Sequence, residues 1–239
     1  MAVTVKKESE NKYLVFSKGK NIGAIKTYEN PFYAQNLYLK PELSEYDPAL
    51  STELFSVLKA LESRPFEVMT ESENARLADF LKAGGFELKR RCFESEVSAA
   101  DFIGGAVFSG GLFEAAAGSA EYLSCCEILY DYHKITHRGI NPLTASLGEF
   151  QKRLPKTAVF EAKDGEILNF AFVEENEIAY LGSADIGSFR DFALKLVGAL
   201  FEKYETLVFE SDDCDPLAMG LRSLFKKQDD SSFNTYILI

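Results

Sequence analysis

Positive charge is what this 239-residue chain has least to spare, with 26 Lys and Arg against 37 Asp and Glu and a formal net charge of −11. A sequence-independent grip on nucleic acid or on an anionic membrane needs clustered cations to displace counterions, so neither partner is expected. Long apolar runs are missing too. Residues 99–117 come nearest, but Asp101 and Glu114 interrupt them and their glycines weaken a helix, so no membrane span is expected. The start, Met1-Ala2-Val3-Thr4-Val5-Lys6-Lys7, has no apolar stretch of the kind a signal peptide needs, and the expected location is the cytoplasm. Cys92, Cys125, Cys126 and Cys214 have no C-x-x-C spacing, and a bridge between neighbours 125 and 126 would be strained. Free thiols and no structural zinc follow. His133 and His137 stand four apart, yet no H-E-x-x-H pattern accompanies them and no cysteine is placed to complete a ligand set. The expectation there is a solvated helix end and no metal. Cys214 follows Asp212 and Asp213, whose charges disfavour a thiolate, so it is not expected to act as a nucleophile.

What the chain does have is the same pattern twice. Residues 57–73 (VLKALESRPFEVMTESE) lie over 196–212 (LVGALFEKYETLVFESD) without a gap, Glu71 falling on Glu210. Each copy reads as the end of an amphipathic helix, a short connection, a strand and an acidic turn. Upstream, residues 13–23 recur at 157–167 as strand, tight Gly turn and strand, through Lys18-Gly19 and Asp164-Gly165. A duplicated α/β unit is expected. Hydrophobic content of 46% and charged content of 26% suit a globular fold, and the length suits two domains of about 110–120 residues.

In the first copy, a hairpin over 12–17 and 21–28 and a third strand at 33–39 precede a loop bracketed by Pro41 and Pro48. Ser51-Thr52-Glu53 offers a cap for a helix that Pro65 has ended; then come a strand at 66–70, a helix at 73–83 closed by Gly84-Gly85, and a returning strand at 86–94. The second copy carries extra helices in front, at 122–136 and 142–154. Strands at 157–162, 166–173 and 177–182 follow, then a helix at 188–203, a strand at 206–210, a helix at 216–227 and a last strand at 232–239. Three antiparallel strands followed by helix, strand, helix, strand make a mixed α/β sheet with helices on its faces. The expected division is 1–97, a connecting segment 98–120, and 121–239.

This order resembles the Gcn5-related N-acetyltransferase (GNAT) superfamily. The best local match is Asn74-Ala75-Arg76-Leu77-Ala78-Asp79-Phe80-Leu81-Lys82-Ala83-Gly84-Gly85-Phe86, which is similar to the family's N-x-x-A-x-x-F-Y-x-K-x-G-F. Residues 141–155 look like the region of the family's first helices. The resemblance implies two acyl-CoA N-acyltransferase-like units in tandem, acetyl-CoA as co-substrate, and transfer to a small-molecule or peptide amine by a monomer or homodimer.

The family holds the CoA pyrophosphate on backbone N–H groups of a glycine-rich turn at a helix N-terminus. In the first copy the corresponding residues 41–50 have no glycine and three carboxylates, so no cofactor is expected there. The second copy offers Gly182, Ser183, Ile186, Gly187, Ser188 and Arg190, although Asp185 lies among them and the family spacing is not reproduced. Asn74 joins this cofactor set by the local match. At the family's catalytic Tyr position the copies carry Leu81 and Phe225, so Tyr180, Glu210 and Ser211 are the catalytic candidates, with Tyr38 as the first-copy counterpart of Tyr180. Two functions stay open: an acyl-CoA-dependent N-acyltransferase, or a catalytically degenerate binding or interaction module.

Overall fold

The computed structural model describes residues 3–104, 111–226 and 229–239, which form twelve strands and six helices. They divide into two compact units, neither contiguous in sequence: Met1–Arg91 with Arg138–Thr144 and Ser231–Ile239, and Cys92–His137 with Ala145–Asp230.

In unit 1, β1 (Val3–Ser9), β2 (Lys12–Ser17), β3 (Lys20–Tyr28) and β4 (Leu37–Leu43) form an antiparallel meander. The β2–β3 hairpin turns through Lys18 (φ 51) and Gly19 (φ 78), the left-handed pair that matches strand twist. Helix α1 (Pro48–Leu61) starts where the Asp47 side chain accepts the Ala49 N–H and Pro48 presets φ; Leu50, Leu54, Phe55 and Leu58 bury one stripe of it. It leads to β5 (Phe66–Glu71), α2 (Ala75–Ala83) and β6 (Glu87–Ser98), and the unit boundary falls inside β6 after Arg91. β5 runs parallel to β4 and antiparallel to the C-terminal strand β12 (Phe233–Leu238), whose Tyr236 is buried with Phe55, Phe66 and Phe80.

Unit 2 repeats the plan. β7 (Phe113–Ala116), α3 (Ala120–Thr136) and α4 (Leu147–Gln151) precede the meander of β8 (Thr157–Lys163), β9 (Glu166–Glu174) and β10 (Glu177–Ser183). The β8–β9 turn again uses a left-handed pair, Asp164 (φ 54) and Gly165 (φ 86). Then follow α5 (Ile186–Phe201), β11 (Thr206–Asp212) and α6 (Pro216–Arg222). β11 is parallel to β10 and antiparallel to the second half of β6, from Thr206↔Ser98 to Asp212↔Cys92.

The mixed α/β class and the repeated element order stand as the sequence has them. Several local readings change. Two edge strands were not expected: β1, which is mostly exposed along its length, and β7, which lies in what reads as connecting segment; the rest of that reading at 105–110 falls outside the described residues. β4 runs through Pro41, tolerated because its described pairing with β5 stops at Tyr38, leaving β3 as the one neighbour to bond. The last strand, 233–238, completes unit 1, while residues 92–98 fill the matching place beside β11, so the units do not follow the boundaries 97 and 121. Segment 138–144 likewise packs in unit 1, where the Thr144 N–H donates to the Phe32 carbonyl at 2.8 Å; helix α4 is confined to 147–151.

Candidate functional site

Two parallel strands that part company make the site of unit 2. β10 pairs with β11 at Glu177↔Val208 and Ile178↔Phe209; the described ladder stops there, although the strands continue to Ser183 and Asp212. Just beyond the last pair lies a pocket of about 90 Å³, walled by Tyr180 and Leu181 of β10, Glu210 and Asp212 of β11, and Tyr132 and His137 from α3 and its end. Strand alternation explains the selection. Glu210 and Asp212 share one face of β11, whereas Ser211 points to the other, is fully buried, and has no hydrogen-bond partner for its Oγ among the described residues. Two of the three expected catalytic residues, Tyr180 and Glu210, therefore meet in the pocket and Ser211 does not.

Burial raises the Tyr180 phenol above its ordinary range, and the neighbouring charges of Glu210 and Glu177 add to the shift. Glu210 is exposed and accepts a weak bond from the Cys92 thiol at 3.6 Å. Behind them Tyr132 donates to Asp215 Oδ1 at 2.6 Å, and burial followed by the Asp215 charge pushes its phenol up strongly. Asp215 also accepts the Leu217 and Ala218 N–H groups as N-cap of α6. His137 Nε2 lies 3.0 Å from Asp212 Oδ2, its Nδ1 2.9 Å from Thr136 Oγ1, and its ring stacks on His133 at 3.8 Å. The helix end at His137 is thus not solvated: the residue is 3% exposed, because the turn after α3 folds it against β11. Nor do the ligand-type atoms stay apart, since donor atoms of His137, Asp212 and Cys214 lie within 4.8 Å of one another.

The expected cofactor loop is built differently from the way its composition reads. Gly182 is a glycine because Phe170 lies across from it in the ladder: a Cβ there would meet the ring at 2.0 Å. Ser183 donates to Asn169 Oδ1 at 2.6 Å, while Asn169 Nδ2 donates to Ser188 Oγ at 2.8 Å and to Glu161 at 2.6 Å, so both serines serve an internal network. The Asp185 carboxylate caps α5 by accepting the Gly187 N–H at 3.1 Å. Gly187 does not have a positive φ, so nothing in its backbone requires glycine. Ile186 is 64% exposed and Arg190 is exposed beside it. Asn74, in unit 1, is the N-cap of α2 and accepts the Leu77 N–H at 3.3 Å. Leu81 and Phe225 are both buried in their cores.

Unit 1 has the same fork, with β4 and β5 paired at Leu37↔Phe66 and Tyr38↔Glu67 before the ladder stops. A buried polar group occupies it. Glu67, fully buried, accepts from Asn36 Nδ2 at 2.9 Å; burial raises its pKa against the opposing effects of Asn36 and Arg90. Tyr38 lies beside Glu67 and Asn141, and Tyr38 Oη, Glu67 Oε1 and Asn141 Oδ1 have no partner that meets hydrogen-bond geometry among the described residues. At its α1 terminus Asp47 holds the Ala49 N–H at 2.9 Å, as Asp185 does at α5.

The residues that sequence reasoning missed are Tyr132, His137 and Asp215. Only the i, i+4 histidine pair and the acidic run at 212–215 signalled them, and neither says which helix end the fold covers.

No family model matches the chain, and no curated protein matches it in sequence. Solved structures do. A GCN5-related N-acetyltransferase from Sphaerobacter thermophilus aligns with 97% of this chain and 81% of its own at 8% identity, with a TM-score of 0.57. A GCN5-related N-acetyltransferase from Kribbella flavida aligns with 98% of this chain and 89% of its own at 16% identity, with a TM-score of 0.50. At such identities the likeness is one of fold, and it extends over nearly every element in both units: the chain has the GNAT acetyltransferase fold, laid out as two units of mixed α/β structure.

Proposed function

We propose that this protein is an acyl-CoA-dependent N-acyltransferase, working through unit 2 and acting on a small amine or peptide amine by direct transfer. The observation that carries the reading is the fork between β10 and β11 with Tyr180 and Glu210 at its base. Beyond Ile178 the inner edge of β10 offers backbone groups to an extended ligand arm, which suits the strand-like part of CoA. The phosphate end suits it less well, because Asp185 already holds a helix N–H that a pyrophosphate would use. Acyl-CoA, when bound, supplies the activated thioester.

The pocket's own residues have defined tasks in this reading. Glu210 and Asp212 attract a cationic amine, and the same charges resist its conversion to the neutral nucleophile, so activity rises with pH. Tyr180 stays protonated at neutral pH and can donate a hydrogen bond to the departing thiolate. A thiol near pKa 8.5 is a stronger acid than a tyrosine raised above about 10, so Tyr180 stabilises that thiolate without giving up its proton. Orientation within the fork does the rest, since a neutral amine attacking a thioester needs little acid–base assistance once held in place. We take the sequence repeats within 1–97 and 121–239 as two copies of a duplication, and the protein as a cytoplasmic monomer or homodimer.

A second reading has its own support. Carboxylates cap the helix after the fork in both units, Asp47 at α1 and Asp185 at α5, which favours a binding or interaction module that never takes up CoA. A thermal-shift titration with CoA and acetyl-CoA separates the two. A ligand bound to the native state at 100 times its dissociation constant adds about 2.7 kcal/mol of stability. No shift at millimolar CoA supports the module.

A further inference from the structure

We propose that His137, Asp212 and Cys214 form a three-ligand site for a zinc-class divalent ion, with its fourth position open to the Tyr180–Glu210 pocket. The Thr136 hydroxyl has a single hydrogen and two backbone carbonyls within reach, Tyr132 O at 3.2 Å and His133 O at 3.3 Å. Given to either, that hydrogen leaves Thr136 Oγ1 as the acceptor of a His137 Nδ1–H at 2.9 Å; given to Nδ1 instead, it leaves an Nε2–H for Asp212, the metal-free arrangement that an ion would displace. The Nδ1–H tautomer then turns the Nε2 lone pair toward Asp212 Oδ2, 3.0 Å away. Two acceptors at that separation are held together by a cation between them. A proton is one such cation. A metal ion is the other, and it accounts in addition for the third donor, Cys214, whose ligand atom lies within 4.8 Å of those of His137 and Asp212.

The set is chemically coherent. One imidazole nitrogen, one carboxylate oxygen and one thiolate make a borderline-soft environment suited to Zn²⁺ and its spectroscopic substitute Co²⁺, and poorly suited to Mg²⁺ or Ca²⁺. Tetrahedral bonds of about 2.0 Å to nitrogen and oxygen and about 2.3 Å to sulfur put donors roughly 3.3–3.8 Å apart. The His137–Asp212 pair, at 3.0 Å, lies a few tenths of an ångström inside that spacing and opens to it on binding, while the larger closure falls to Cys214, a partly exposed residue in the turn between β11 and α6. Thr136 acts as the outer partner that fixes the ring. Binding converts the Cys214 thiol to thiolate and releases its proton to solvent. Three protein ligands leave a vacancy for water or for a ligand in the pocket.

The test uses the full, tag-free chain dialysed against chelator and then titrated with Co²⁺ and Zn²⁺. One equivalent of Co²⁺ should produce a thiolate-to-cobalt charge-transfer band, displaced by one equivalent of Zn²⁺ with a rise in melting temperature. Cys214→Ser should abolish the band in a protein that still folds, as a partly exposed turn residue allows. Thr136→Val should keep the band but weaken Zn²⁺ affinity about 10- to 100-fold, the value of an outer-shell partner. A wild-type protein with no band, or a band that survives Cys214→Ser, overturns the site. So does a ¹⁵N spectrum of the metal-treated protein in which His137 still carries hydrogen on Nε2.

Discussion

Gly182→Ala separates a packing glycine from a ligand-binding one. In the ladder between β9 and β10, Gly182 faces Phe170, and a Cβ built on it falls 2.0, 2.5 and 2.6 Å from the Cζ, Cε1 and Cε2 atoms of that ring. Carbon atoms rest about 3.5–4.0 Å apart, so the ring has to withdraw by roughly 1.5 Å. It has nowhere to go. Phe170 is fully buried, and Phe172 meets it edge-on at 5.8 Å. Overpacking of this kind costs about 1–3 kcal/mol, and a clash of this depth belongs at the upper end. Denaturant unfolding should show a lower midpoint with an unchanged slope. Shortening the ring should relieve the strain, so Gly182→Ala combined with Phe170→Leu should cost less than the sum of the single changes by about 1–2 kcal/mol. An unchanged midpoint for Gly182→Ala together with lost CoA binding would refute this account and return Gly182 to the ligand.

Glu67→Gln removes a buried charge while keeping an acceptor for Asn36. Because the folded-state pKa of Glu67 is raised, wild type loses stability as pH climbs from the unfolded value of 4.5 through the folded one; stability measured across pH 4–8 should fall relative to the variant, which should be about 1 kcal/mol or more ahead at pH 7. Asp185→Asn keeps the α5 cap and deletes its charge, so CoA affinity measured by calorimetry should improve about two- to five-fold, the worth of one charge at a helix terminus. Glu210→Gln should lower the Tyr180 pKa, followed by NMR of labelled tyrosine, and raise KM for a cationic amine more than it changes kcat; an unmoved Tyr180 titration would deny their coupling.

Local signals in the chain reached as far as local physics does. The two left-handed turns, the Asn74 helix and the helix-to-strand repeat at 57–73 and 196–212 were legible because each is a short-range pattern with a fixed period or a required backbone conformation. β1 and β7 were not, since strands exposed on most positions show no alternation to detect. The destination of 233–238 beside β5, and of 92–98 beside β11, was hidden for another reason: strands of similar pattern differ in partner only through contacts distant in sequence. That Tyr180 and Glu210 lie together at the fork was legible because strand ends can be counted. Gly182 and Ser188 were given to a ligand because composition does not reveal that Phe170 and Asn169 had claimed them. His137, covered by the fold, carries the sequence signal of an exposed helix end.

Amine-dependent release of CoA from acetyl-CoA tests the central claim most directly, using polyamines, aminoglycosides and amino-terminal peptides at two ionic strengths. The fork and its acidic pocket predict turnover with a cationic acceptor, rising with pH and weakening as salt screens the field over roughly 8–10 Å. Acetyl-CoA that binds yet yields no CoA with any amine, or turnover confined to anionic acceptors and indifferent to salt, would contradict it.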